Sequence, residues 1–172
     1  GRALLMRHDF RGAIMGLAPG QTQERDLSWL DTSLAAGLSP DGKTLLFAEG
    51  GEGGRGAFAV YLRKTDGSPA VRLGEGMPMA LSPDGKWALA VQPGPTPQLV
   101  LSPTGAGEAK TIRNERISVY SSASWFPDGK RLLFTGNEPG QGTRLYWQDL
   151  EGGKPHAIAP VGSGPRPPMR TI

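Results

Sequence analysis

The chain has no cysteine among its 172 residues, which removes thiolate nucleophiles and cysteine-ligated zinc or iron and leaves the redox compartment open. No apolar run approaches the roughly 20 residues that span a bilayer, so membrane insertion is not expected. The opening Gly1-Arg2-Ala3-Leu4-Leu5-Met6 lacks the layout of a signal peptide. Blocks of one charge are missing as well. The 19 basic and 16 acidic residues are mixed along the chain for a net charge of +3, and nucleic acid binding wants a clustered basic face. Pairs such as Lys130 with Arg131, or Arg113 with Arg116, therefore read as solvated turn and rim residues, and neither DNA nor RNA is expected as a partner. Period-3.6 apolar patterning is absent too, and glycine or proline interrupts nearly every window of ten residues, which disfavours helical repeats.

What the chain does have is 26 glycines and 16 prolines, set at regular intervals between short apolar runs rather than gathered into low-complexity tracts. The intervals are a repeat. Leu38-Ser-Pro-Asp-Gly-Lys-Thr-Leu-Leu-Phe47, Leu81-Ser-Pro-Asp-Gly-Lys-Trp-Ala-Leu-Ala90 and Trp125-Phe-Pro-Asp-Gly-Lys-Arg-Leu-Leu-Phe134 align without gaps, with Gly42, Gly85 and Gly129 separated by 43 and 44 residues. A truncated copy opens the chain, where Gly1-Arg2-Ala3-Leu4-Leu5 matches Gly42-Lys43-Thr44-Leu45-Leu46 at a spacing of 41.

Each motif reads as a turn between two strands. Pro40, Pro83 and Pro127 fix φ near −65°. Asp41, Asp84 and Asp128 can accept hydrogen bonds from nearby amides, and Gly42, Gly85 and Gly129 take the left-handed position from which the next strand leaves with the correct twist. The entering strands are 34–39, 77–82 and 122–126. The leaving strands, 44–49, 87–92 and 131–136, are apolar on both faces, as expected in the middle of a sheet sandwiched between other sheets. Third strands follow at 57–63, 98–102, 143–149 and, in the first copy, 12–17. Fourth strands follow at 70–73, 109–113, 156–159 and 22–27. Four short strands per unit of about 40 to 45 residues is the period of a β-propeller blade. The expected fold is all-β: about four blades of four antiparallel strands, at 1–30, 31–74, 75–115 and 116–162. A proline-rich tail at 163–172 follows. A β-sandwich would leave the fixed interval of the turn unexplained.

The Ser-Pro-Asp-Gly-Lys motif followed by an apolar strand resembles the WD-like repeat of TolB-type propellers, found also in the propeller domains of prolyl-oligopeptidase-like enzymes. Asp26-Leu-Ser-Trp-Leu-Asp31 and Ala59-Val-Tyr-Leu-Arg-Lys-Thr-Asp-Gly67 resemble propeller segments appended to bacterial serine/threonine kinases. The resemblance runs from Gly1 to about Val161. It implies a scaffold presenting loops around a central channel to a protein or a small ligand, in the bacterial cytoplasm or periplasm. Such propellers usually carry six to eight blades, so the chain reads as a partial propeller. Either residues 169–172 pair beside residues 3–8 and close a ring, or two chains form a homodimer that completes one.

Candidate chemistry is sparse. Gly51-Glu-Gly-Gly-Arg-Gly56 satisfies the G-x-G-x-x-G spacing, but neither the helix of a dinucleotide site nor the remaining kinase motifs accompany it, so it reads as a strand connection. His8 and His156 fall on different strand positions and read as surface or structural residues rather than a zinc pair. The cluster Ser121-Ser122-Ala123-Ser124 has no G-x-S-x-G elbow and no nearby histidine. Three acids remain. Asp31, Glu75 and Glu115 each precede an entering strand, and equivalent positions on successive blades converge, so they are the candidate ligands of an axial hard cation such as Ca²⁺. Separate solvated loop acids are the alternative.

Three functions follow as expectations, the third being an accessory domain that gates a peptidase elsewhere on a parent chain. The first is a non-catalytic ligand- or protein-binding propeller, part of a larger bacterial signalling or envelope protein. The second is a cation-dependent hydrolase of the lactonase or esterase type at the channel mouth, since propeller hydrolases use an axial cation to polarise a carbonyl or activate water.

Overall fold

A computed structural model of the chain describes residues 11–51, 54 and 57–158. Among these there is no helix, and hence none long and apolar enough to cross a membrane. Fourteen strands form three four-stranded antiparallel sheets and one two-stranded ribbon. The ribbon pairs β1 (Met15–Gly16) with β2 (Arg25–Asp26). The next sheet runs β3 (Thr32–Leu38), β4 (Thr44–Gly50), β5 (Ala59–Lys64), β6 (Val71–Glu75) in sequence order. Its successors are β7 (Met77–Leu81), β8 (Trp87–Gln92), β9 (Gln98–Pro103), β10 (Lys110–Ile112), and then β11 (Val119–Trp125), β12 (Arg131–Asn137), β13 (Thr143–Asp149), β14 (His156–Ala157). Every neighbour in a sheet is its neighbour in sequence, the up-and-down order of a propeller blade. First strands lie side by side, with β7 against β3 on one flank and β11 on the other.

The repeated turns join β3 to β4, β7 to β8 and β11 to β12. Gly42, Gly85 and Gly129 have φ of 69°, 70° and 67°. Their amides donate to the carbonyls of Ser39, Ser82 and Phe126 at 2.8, 2.8 and 3.0 Å. Two copies add a side-chain lock. The Ser39 hydroxyl donates to Asp41 Oδ1 at 2.6 Å while accepting from the Thr44 amide at 2.9 Å, and Ser82 repeats both bonds with Asp84 and the Trp87 amide. Phe126 replaces that serine in the last copy, and Asp128 takes the Arg131 guanidinium instead, at 2.6 Å.

Stacking of the sheets follows from alternation along each strand. On β4, Leu45 and Phe47 face the ribbon and cluster with Ile14, Leu27, Ala59 and Tyr61. Leu46 faces the other way and joins Val60, Leu62, Ala88 and Ala90 between the second and third sheets. Leu89, one repeat after Leu46, joins Leu99, Leu101, Leu132, Phe134, Tyr146 and others between the third and fourth. Each sheet thus has one face for its predecessor and one for its successor.

Two expectations need correction. The first copy's third and fourth strands are shorter than 12–17 and 22–27, since only Met15–Gly16 and Arg25–Asp26 are paired as strand. The proposed ring-closing segments, 3–8 and 169–172, lie outside the described residues. The leaving strand of the last copy is also not buried on both faces. Leu132, Phe134 and Gly136 are buried, whereas Arg131, Leu133, Thr135 and Asn137 between them are half-buried, because no described sheet stacks beyond this one.

Candidate functional site

A cavity of about 640 Å³ lies between the third and fourth sheets on the side of the repeated turns. Its rim is Pro83, Asp84, Pro127, Asp128 and Gly129, and its floor includes Leu101, Ile112 and Leu150. Trp87 at the start of β8 and Trp125 at the end of β11 form its walls. Register explains why both indoles point into one junction. Trp125 is paired with Leu132 and so faces the third sheet, while Trp87 alternates with Ala88, which faces the second sheet, and so faces the fourth. Both pack on the edge of the buried cluster that holds these sheets together. The Lys110 ammonium from β10 sits 4.9 Å from the centre of the Trp87 ring, where the negative ring face attracts a cation.

Neither indole is required by the turn. The positions equivalent to Trp87 are Thr44 and Arg131, and those equivalent to Trp125 are Leu38 and Leu81. The matching cavity between the second and third sheets, with Thr44 and Leu62 in its lining, is about 190 Å³. The Trp125 indole N–H is buried without a hydrogen-bond partner among the described residues, in a class of group that is nearly always satisfied in folded proteins.

Electrostatics at the rim are set by the turns. The Ser82 hydroxyl, then the Lys86 amide, lower the Asp84 carboxyl below the ordinary aspartate range. The Lys130 amide, then the Arg131 side chain, do the same to Asp128. Both carboxylates are committed to backbone amides two residues on, at 3.0 and 2.9 Å, so they brace the loop and hold negative charge at the cavity mouth. A second cavity of about 260 Å³ lies at the link from β10 to β11, lined by Arg113, Asn114, Glu115, Arg116, Glu138 and Lys154 among others. There the Asn114 amide donates to Tyr120 Oη and Gln148 Oε1 at 3.0 and 2.8 Å. Burial raises the Tyr120 phenol, the Asn114 bond partly opposing it.

The three sequence-predicted carboxylates sit at successive sheet junctions. Asp31 immediately precedes β3 and lies beside Gly51. Glu75 ends β6, pairs with Ala59 across the sheet and meets Arg72 at 3.6 Å. Glu115 lines the second cavity among three cations. Among the described residues no three His, Asp or Glu side chains form a group that could hold a metal ion. His156 stacks on Trp147 with ring centroids 4.4 Å apart, while His8 lies outside the described residues, as do Glu52, Gly53, Arg55 and Gly56 of the glycine-rich loop. Ser122 on β11 bonds the Thr135 hydroxyl at 2.8 Å.

Sequence reasoning did not pick out Trp87 and Trp125. The signal was available as two tryptophans departing from the repeat on facing sides of one junction.

No protein-family model matches the chain, nor does any curated protein. Solved structures do match. A TolB from Agrobacterium tumefaciens superimposes with TM-score 0.69 at 21% identity, over 86% of this chain and 56% of that one. TolB from Acinetobacter baumannii gives 0.65 at 22%, over 80% and 35%, and a prolyl endopeptidase gives 0.60 at 16%, over 84% and 26%. The chain spans about half of the first and about a third of the second. In fold, it is similar to TolB and to the propeller-containing prolyl and acylaminoacyl peptidases.

Proposed function

We propose that the chain is a non-catalytic binding module, a propeller segment of a larger bacterial signalling or envelope protein, whose ligand enters the cleft between the third and fourth sheets. One observation carries this reading. Two indoles stand where the other repeats have leucine, threonine or arginine, and together they wall an open cavity of about 640 Å³. Aromatic walls with a few polar groups at the mouth are the usual make-up of a ligand site, because large rigid rings supply contact area at little entropic cost. The ligand this cleft suits is a protein segment or small molecule with an apolar body to lie between Trp87 and Trp125. An acceptor group on it would be directed to the Lys110 ammonium.

The test is selection of displayed peptides against the whole chain, followed by titration of those selected. Trp87→Ala and Trp125→Ala are expected to weaken binding at least tenfold, since central aromatic anchors cost about 2 kcal/mol or more when truncated. Selected peptides whose affinity ignores both substitutions would place the site elsewhere.

A further inference from the structure

The cleft between the third and fourth sheets carries one weakly opposed charge of each sign, both contributed by the third sheet. Lys110 brings the positive one. Its ammonium lies 4.9 Å from the centre of the Trp87 ring, and it takes part in none of the ion pairs among the described residues, which join Arg72 to Glu75, Lys86 to Asp84 and Arg131 to Asp128. The junction between the second and third sheets uses its lysine differently. There Lys64 donates to the Thr44 hydroxyl at 2.9 Å, and both residues line the smaller cavity.

Asp84 brings the negative one. Of the two rim carboxylates, Asp128 is closed off by the Arg131 guanidinium, whose Nη2 and Nε lie at 2.6 and 2.8 Å. Asp84 gives Oδ1 to the Ser82 hydroxyl and the Lys86 amide, while Oδ2 has the exposed Lys86 ammonium at 4.0 Å, a surface pair of little strength. Lys86 and not Lys110 is the cation that acts on this carboxyl, so the two charges of the cleft do not neutralise each other. The cleft is also long. Its lining runs from the turn between β7 and β8, through Trp87 on β8 and Leu101 on β9, to Lys110, Thr111 and Ile112 on β10. β10 is the edge strand farthest from β7, so at about 4.8 Å per strand the lining covers roughly 12 Å. About four residues of extended chain cover the same distance.

Taking the cleft as the ligand site, as proposed above, we infer that its ligand is an extended segment of another protein in which one basic and one acidic residue flank an apolar pair. The acid is drawn to Lys110 and the base to Asp84. A segment of one charge sign meets one attractive and one repulsive position, whereas an amphoteric segment meets two attractive ones. Lys110 and Asp84 are both exposed, so each changes affinity by no more than about fivefold. Apolar contact with the two indoles supplies most of the affinity, and the charges supply selection and register.

Three peptides, acetylated and amidated so that their ends are neutral, are titrated into the whole chain and followed by NMR: Lys-Leu-Leu-Glu, Lys-Leu-Leu-Lys and Glu-Leu-Leu-Glu. Lys-Leu-Leu-Glu is expected to bind tightest, by roughly two- to fivefold over each of the others at low salt. The difference should vanish near 1 M salt, where the Debye length is about 3 Å. Lys110→Glu, a change at an exposed position, makes both charges negative and should put Lys-Leu-Leu-Lys first. Trp87→Ala should weaken all three peptides together, with circular dichroism confirming that both variants keep their strands. Peptides that lose affinity in Trp87→Ala but rank alike in the parent and in Lys110→Glu overturn the charge pattern and leave the cleft as a ligand site. Affinity that ignores Trp87→Ala overturns both. If none of the three binds at millimolar concentration, the amphoteric ligand is refuted, while the displayed-peptide selection still decides the cleft.

Discussion

Replacing Gly85 by alanine isolates one physical quantity, the left-handed backbone that the repeated turn demands. Gly85 has φ of 70°, and a Cβ built on it would meet nothing within 4 Å. The cost is therefore conformational rather than steric. Left-handed backbone costs an L-residue about 1–2 kcal/mol, while alanine returns about 0.4–1 kcal/mol by restricting the unfolded chain, which leaves a net loss near 1 kcal/mol. For a domain of this size that lowers Tm by roughly 2–4 °C. Gly42→Ala carries the same backbone cost at φ 69°, but its Cβ would lie 3.0 Å from Pro19 Cγ, so it should lose more. Gly105→Ala is the control. Its φ lies outside the left-handed range and its surroundings are open, so only the unfolded-state gain applies and Tm should rise by roughly 1–3 °C. Thermal melts by circular dichroism rank the three. If Gly85→Ala matches or exceeds the parent Tm, or if Gly42→Ala is no worse than Gly85→Ala, the turn geometry is wrong.

Leu89→Ala empties a position that is 0% exposed between the third and fourth sheets, and should cost about 2–5 kcal/mol by chemical denaturation; a loss under 1 kcal/mol would mean these sheets are not closely stacked. The turn carboxylates predict a pH dependence. Asp84 is held below the ordinary range chiefly by the Ser82 hydroxyl, so its contribution is complete above the unfolded value, about 4, and is lost as pH falls through the lower folded value. Asp84→Asn should therefore be less stable than the parent at pH 7, with the gap closing as pH falls below about 4. Denaturant midpoints across that range check it, and a gap independent of pH would remove the charge from the explanation.

The fold was legible because its turn chemistry and core patterning repeat together. Pro-Asp-Gly at near-constant intervals located the joints between first and second strands, and doubly apolar runs such as Leu45-Leu46-Phe47 marked second strands sandwiched by neighbours. The same logic misread the leaving strand placed at 131–136. Its residues have the composition of a sandwiched strand, but burial depends on whether a neighbouring sheet is there, and composition alone cannot report that. The first copy misled for a related reason. Without a Ser-Pro-Asp-Gly turn there is less to fix a register, and pairing is confined to Met15–Gly16 with Arg25–Asp26.

The candidate site was harder to read, because convergent carboxylates are the usual signal of a site while this repeat keeps its carboxylates for its own loops. Asp41, Asp84 and Asp128 each spend an oxygen on an amide two residues ahead, and Glu75 leans on Arg72. A repeat protein solves folding with the residues that recur, so chemistry specific to one junction is free to appear only where recurrence fails. Phe126 in place of serine, Trp125 in place of leucine and Trp87 in place of threonine are such failures, and all three fall within the strands and turns that bound the third and fourth sheets. Phe126 shows that departure alone is insufficient. Its ring takes Arg131 at 4.5 Å, part of the substitute brace that Asp128 completes once the serine lock is gone. Trp87 and Trp125 brace no turn, and what they add to the junction is aromatic surface facing an open space. That difference is what supports the proposed binding cleft over a second repaired turn.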